Sequence, residues 1–369
     1  MSGAWSFALV LGGGGMRGLA HVGALRALEA RGWEPAEVIG TSIGALIGAA
    51  WASGFTVREI ESLSLSLRRR DVFAVASAAM ALKRLRAPAL YSAEPLDDLV
   101  HGMLGDVTFR QLGRRLIVNS VDINSGRQMF WGLPGLEDVP VADAVFASCA
   151  LPGFLEPREI GGCYFADGAL VDNLPVRLAA ARGYRAIVAV DVGATSVLRA
   201  DVQEAGFAAI SARASEIVFQ QAMEHHLGVW TAPPLLLVQP RVEHVPMFAF
   251  DHTRALVDEG YRATAAALEG AGAAVRAATG GIYPRRTVQI AVIRERCIGC
   301  GACVAIAPPG MFRMDGDGKA VGPDRPCEWS PIDGAFIRHC PTYAIMARPV
   351  AAAGASTGGA STGTGRAPA

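Results

Sequence analysis

The chain has 369 residues, with 34 basic and 34 acidic side chains and a formal net charge of zero. That balance excludes the basic footprint of a nucleic-acid-binding protein. Hydrophobic residues make up 51%, which excludes a chain disordered throughout, and the length suits one large and one small domain.

The first predicted element is a buried strand over Phe7–Leu11, followed by four glycines, Gly12 to Gly15, and a helix over Arg17–Ala30. Gly13, Gly15 and Gly18 fit the dinucleotide fingerprint G-x-G-x-x-G. That reading requires an acidic residue closing the second strand, but the strand at Val38–Ile39 runs into Gly40, Thr41 and Ser42 instead. Gly40 to Gly44, GTSIG, fits G-x-S-x-G between a strand and an apolar helix over Ile43–Ser53. Such a turn exposes a serine hydroxyl as a nucleophile. The same residues also suit a helix start with Ser42 as its cap. The uncharged run Val38–Val57 has the length of a membrane span, yet its glycines and serines favour strand, turn and buried helix.

Arg68–Arg86 is an apolar run between two basic clusters. It suits either a cap over a pocket or peripheral contact with an anionic bilayer. Two strands flanking Asn124-Ser125-Gly126 predict a hairpin. Asp167-Gly168 follows a strand-like segment, where a carboxylate can reach the carboxyl edge of a sheet, although Asp-Gly is also a common turn pair. Further buried strands are expected in Tyr184–Gly193 and Pro234–Pro240, and long helices over Phe207–Leu227 and His252–Ala278. The alternation predicts an α/β fold with a mainly parallel sheet. No basic region precedes the first apolar run, and the seven cysteines are an odd number. A cytoplasmic protein, in peripheral contact with the inner membrane surface at most, is therefore expected.

The glycine-rich GGGGMRG, the elbow GTSIG, the segment Ala147–Pro157, the DGA at Asp167 and the stretch Phe250–Thr264 together resemble the patatin-like phospholipases over residues 5–275. The resemblance implies a three-layer sandwich around a mainly parallel sheet. It also implies an acyl-ester hydrolase acting on lipids or phospholipids without a cofactor. In that reading Ser42 is the nucleophile and Asp167 the general base, with no histidine between them. The oxyanion hole maps onto the N–H groups of Gly14 and Gly15, with Met16 and Arg17 adjoining, and Arg17 holding the loop or the anion. Gly13, Gly18, Gly40, Gly44 and Gly168 support these turns. Chain order alone also permits a triad through His225, His226, His244 or His252, but the elbow here follows only the second strand. His21 receives a structural place.

After a linker expected at 276–286, Cys297, Cys300 and Cys303 form C-x2-C-x2-C, and Cys340-Pro341 follows. The spacing resembles a single-cluster bacterial ferredoxin domain over residues 287–347, a small α+β unit. Those four cysteines would hold one iron–sulfur cluster, [4Fe–4S] by their number; zinc is the alternative. Cys327 is expected as an unpaired core thiol, Cys149 and Cys163 as buried small hydrophobes, and DGDGK (Asp315–Lys319) as a hairpin turn. The tail, 348–369, is expected to be disordered. A cluster beside a hydrolase suggests a regulatory or electron-carrying appendage with a redox partner. The alternative reading is an electron-transfer or redox-sensing protein whose hydrolase-like half binds lipid or a partner.

Overall fold

The computed structural model describes residues 5–75, 89–193 and 206–350. Its first unit ends at Pro284, and a second begins at Arg285. The first is built on a sheet whose strands run, edge to edge, Ile282–Tyr283, Leu235–Val238, Ala186–Val190, Phe7–Leu11, Glu37–Thr41, Leu116–Asp122, Cys163–Asp167 and Arg158–Ile160, with Gln128–Trp131 also pairing Leu116–Asp122. The first six are mutually parallel. The remaining pairings are antiparallel, and one of them is the hairpin predicted around Asn124–Gly126. Phe7–Leu11 is buried along its whole length, as a parallel strand covered on both faces demands. The fold is α/β.

Two features of this sheet position the site. The chain leaves Phe7–Leu11 toward Glu37–Thr41 on one side and later returns as Ala186–Val190 on the other. The glycine loop therefore sits where the strand order reverses, the usual place for a ligand in an open α/β sheet. The register then aligns the second loop. Thr41 lies opposite Asn119, and the next residue, Ser120, lies opposite Asp167. Asp167 is thus level with the residue after Thr41, which is Ser42.

The structure departs from the sequence reading in several places. The helix expected from Arg17 begins as a 3-10 turn over Gly15–Leu19 and becomes α-helical over Ala20–Glu29. The uncharged Val38–Val57 divides into the strand Glu37–Thr41 and the helix Ile43–Ala52. No helix among the described residues is long and apolar enough to cross a membrane. Ile282–Tyr283, inside the expected linker, pairs with Leu235–Leu236 and extends the sheet. Cys163 is exposed on an edge hairpin rather than buried. Most of the Arg68–Arg86 segment, from residue 76, and the tail from residue 351 lie outside the described residues.

The second unit has an antiparallel sheet of Cys327–Trp329, Arg286–Val292 and Ile345–Pro349, a short helix Ala302–Ile306 and a hairpin Arg313–Met314/Ala320–Val321. Its core gathers Val288, Ile290, Phe312, Trp329, Phe336 and Ile345. Phe336 meets Phe312 and Trp329 edge-on, a favourable geometry for aromatic quadrupoles. Asp315–Lys319 forms the hairpin turn, with Asp315 accepting from the Asp317 and Lys319 N–H groups.

Candidate active site

Ser42 stands between the strand Glu37–Thr41 and the helix Ile43–Ala52 with φ 55° and ψ −126°. Positive φ is costly for a residue with a side chain and persists only where the surroundings impose it. Here they do. A Cβ on Gly40 would lie 2.5 Å from the Ala45 Cα, and one on Gly44 would collide with the Leu11 carbonyl. Both glycines let the turn close tightly enough to lift the serine. The Ser42 N–H donates to the Ser148 hydroxyl at 2.8 Å, which donates in turn to the Asn119 carbonyl at 2.6 Å.

The carboxyl of Asp167, 4% exposed, accepts from the Ala169 N–H at 2.9 Å and has the Ser42 hydroxyl close enough to favour its charged form. Burial raises its pKa to about 7, and the two donors only partly offset this. It is therefore a far stronger base than an ordinary aspartate.

Asn173 pins the glycine loop to the aspartate loop. Its Oδ1 accepts from the Gly13 N–H at 3.0 Å, and its Nδ2 donates to the Gly13 carbonyl at 3.1 Å. His21, fully buried, contacts the Gly12 carbonyl through Nε2 at 2.7 Å. Burial lowers its pKa to about 4 against the pull of that carbonyl, so the ring is neutral and donates. The Met16 N–H is taken by the Met247 carbonyl at 2.8 Å, which removes it as a donor toward the site. The N–H groups of Gly14 and Gly15 meet no acceptor among the described residues. Gly15 has φ 59°, and a Cβ there would meet Met247.

Arg17 is completely buried and turned away from the cavity. Its Nε donates to the Val245 carbonyl at 2.8 Å, and its guanidinium pairs with buried Glu216, which also receives Arg213 at 3.1 Å. Of the two roles expected of Arg17, this geometry fits holding the loop. Gly18 packs its bare Cα against Ile43, and Gly168 against Asn119.

Gly13 to Met16, Ser42, Asp167 and Asn173 line one cavity of about 90 Å³ with apolar walls that include Leu96, Leu155 and Phe248. Among the described residues the cavity's lining contains no histidine; His226 instead faces Asp172 at 3.6 Å. Cys149 also lines the cavity, against the Ser42 hydroxyl. Burial, and then the charge of Asp167, push its thiol well above the usual range, so it stays protonated. Asn173, Ser148 and Glu216 are the positions that sequence reasoning missed. Asn173 alone left a signal, six residues after Asp167 in the same motif-bearing segment.

In the second unit Cys297, Cys300, Cys303 and Cys340 line one pocket. The Ala320 N–H points at the Cys297 sulfur at 3.4 Å, and the Ala344 N–H at the Cys340 sulfur at 3.3 Å. Burial raises the Cys340 pKa, but the surrounding N–H groups and the Thr342 hydroxyl outweigh it and leave the thiol below its usual range. Four converging thiols supplied with N–H donors fit an iron–sulfur cluster. No set of three or more Cys, His, Asp or Glu side chains among the described residues could hold a single metal ion. Cys327 lies on an edge strand, outside this pocket.

Comparison with known proteins matches two separate stretches of the chain. Residues 9–180 match the patatin-like phospholipase family, and residues 290–333 match the 4Fe-4S single cluster domain. An uncharacterized NTE family protein of Mycobacterium tuberculosis is 32% identical over 169 residues, 46% of this chain and 44% of that one. A cGAMP-activated phospholipase of Escherichia coli is 29% identical over 45% of this chain and 52% of its own. A lysophospholipase of Saccharomyces cerevisiae is 32% identical over 50% of this chain and 11% of its own. The chain thus spans about half, or less, of the length of these curated relatives. Among solved structures, VipD from Legionella pneumophila aligns at 14% identity over 73% of this chain and 67% of its own, with a TM-score of 0.40.

Proposed function

We propose that this chain, a patatin-like phospholipase domain followed by a 4Fe-4S single cluster domain, hydrolyses acyl esters of lipids through Ser42 and Asp167. One observation carries the reading: a strained serine hydroxyl lies against a buried carboxyl beside two N–H groups, of Gly14 and Gly15, that meet no acceptor among the described residues. Ser42 Oγ attacks the acyl carbonyl, and its proton passes to Asp167. The carbonyl oxygen takes the developing charge and receives the Gly14 and Gly15 N–H groups; one such donor is worth about 3 kcal/mol in the transition state. Collapse expels the alcohol, which takes the proton back from Asp167. Water then attacks the acyl-serine, giving its proton to Asp167, and collapse releases the fatty acid as Asp167 returns that proton to Ser42 Oγ.

The lipid class rests on the apolar cavity wall and on the phospholipase relatives. The second unit would hold a [4Fe–4S] cluster on Cys297, Cys300, Cys303 and Cys340. When bound, such a cluster supplies a one-electron couple, which ester hydrolysis does not require. The test is turnover of p-nitrophenyl butyrate. Ser42→Ala and Asp167→Asn should each lose at least about a thousandfold in kcat. A Ser42→Ala protein as active as the natural one would discard the dyad.

A further inference from the structure

One fully buried residue on the strand Leu116–Asp122, Asn119, reaches both loops that carry the dyad. It lies outside the lining of the dyad cavity. Its register places it opposite Thr41, the residue before the serine, and beside Ser120, which lies opposite Asp167. Its side chain joins the same two loops. Nδ2 donates to the Thr41 hydroxyl at 3.2 Å and to the Asp172 carbonyl, in the aspartate loop, at 2.7 Å. Oδ1 accepts from the Gln128 side-chain amide at 2.9 Å. The Asp172 contact fixes the amide's orientation, since the flipped form would set its oxygen against that carbonyl. Gly168, next to Asp167, packs its bare Cα on the same amide, and a Cβ there would lie 2.5 Å from Asn119 Cγ. The main-chain carbonyl of Asn119 also takes the Ser148 hydroxyl that holds the Ser42 N–H. Asn119 thus meets the elbow through Thr41 and Ser148, and the aspartate loop through Gly168 and Asp172. An aspartate there would offer no donor and a leucine no polar group. A short amide supplies two donors and an acceptor in one plane.

We propose that Asn119 is a positioning residue of this hydrolase: its amide sets the elbow and the aspartate loop at the separation that proton transfer from Ser42 to Asp167 requires. It acts through Thr41 and Asp172 and touches neither substrate nor the reacting atoms. The inference rests on the hydrolase reading above and deepens it. Strand pairing already brings Thr41 level with the residue beside Ser120, so the side chain supplies the fine adjustment. Errors of that size slow the chemical step and leave substrate binding nearly intact.

The experiment compares the natural protein with Asn119→Ala, Thr41→Val, the double variant and Gln128→Ala on p-nitrophenyl butyrate. Asn119→Ala should lower kcat by about ten- to a hundredfold and leave KM within about twofold. Thr41→Val alone should lower kcat by about three- to tenfold. It should add nothing to Asn119→Ala, because the bond it removes is already gone. Losses that multiply in the double variant overturn the proposal, as does a kcat for Asn119→Ala within about twofold of the natural value. Gln128 is half-buried on the neighbouring strand, so Gln128→Ala carries the test where Asn119→Ala does not fold. It frees Oδ1 and should lower kcat at least about threefold; an unchanged kcat there overturns the proposal. Amide hydrogen exchange reads the same hold without turnover. Peptides spanning 40–46 and 166–173 should both exchange faster in Asn119→Ala, or in Gln128→Ala in its place, while the strand Phe7–Leu11 keeps its protection. Unchanged exchange in either peptide overturns the assignment, and so does faster exchange in all three, which marks a general loss of stability. Absence of butyrate turnover by the natural protein would instead count against the dyad and leave the exchange to decide whether Asn119 holds the two loops.

Discussion

At the scale of single residues, the chemistry depends on how far burial shifts one carboxyl. With Asp167 near pH 7, a base that must be ionised loses function below that value. The proposed hydrolase should show an acid limb in kcat/KM near pH 7 instead of the ordinary aspartate value of about 3.9. A limb near pH 4 would mean that solvent reaches the carboxyl. The same shift has a stability consequence. Folded Asp167 binds its proton up to about pH 7, whereas the unfolded residue releases it near about 3.9. The associated stability is complete below the lower value and is lost as pH rises through the upper one. Asp167→Asn should therefore be inactive yet gain in melting temperature, relative to the natural protein, as pH rises from about 5 to 8. Asn173 offers a prediction of a different kind. Its side chain holds both polar groups of Gly13, so Asn173→Ala should lower kcat by about ten- to a hundredfold with little change in KM, since the loop it holds is proposed to meet the transition state. Ser42, Asp167 and the glycines were legible because few other residue types can occupy such turns. Asn173 and Ser148 were not, because a buried asparagine or serine acquires its partner only once strands far apart in the chain come into register.

At the scale of elements, the glycine loop is held from outside its own motif. The buried guanidinium of Arg17 and the Met16 N–H tie the short 3-10 turn to Glu216, on the helix Gly206–Gly228, and to the segment Val245–Met247. Sequence reading found the arginine and found that helix, which spans nearly the expected residues. It could not find the pairing, since a glutamate 199 residues away carries no local mark. Removing the carboxylate leaves the cation buried without its main counter-charge, which typically costs about 3–5 kcal/mol. Glu216→Ala should therefore unfold at markedly lower urea concentration, whereas Glu216→Gln, which keeps an oxygen for the guanidinium, should lose less. If both substitutions leave the urea midpoint and kcat unmoved, the loop is held by its backbone contacts alone. The elbow is the opposite case, because its strand, glycine spacing and apolar helix lie within a single short stretch. Only the strand's full extent escaped, since Glu37 joins it through pairing with Ala8, and Gly40 and Thr41 through pairing with Val118 and Asn119.

At the scale of the whole molecule, the two proposed chemistries share one chain, and the reactions they would support have different requirements. Acyl transfer from an ester to water moves no electrons between substrate and protein, so the state of the cluster should not enter the rate of a soluble ester's hydrolysis. Cys340 tests this independence, because it reaches the thiol pocket from a segment beyond the matched residues 290–333. Cys340→Ser replaces a thiolate, held low by its N–H donors, with a hydroxyl that binds iron poorly. The substituted protein should carry less iron per chain and lose the visible absorbance of the cluster, while its kcat/KM for p-nitrophenyl butyrate stays within about twofold of the natural value. Unchanged iron would remove Cys340 from the ligand set. A hydrolysis rate that fell in proportion to iron would mean that the cluster governs the serine site, and the second unit would then be a control element of the hydrolase.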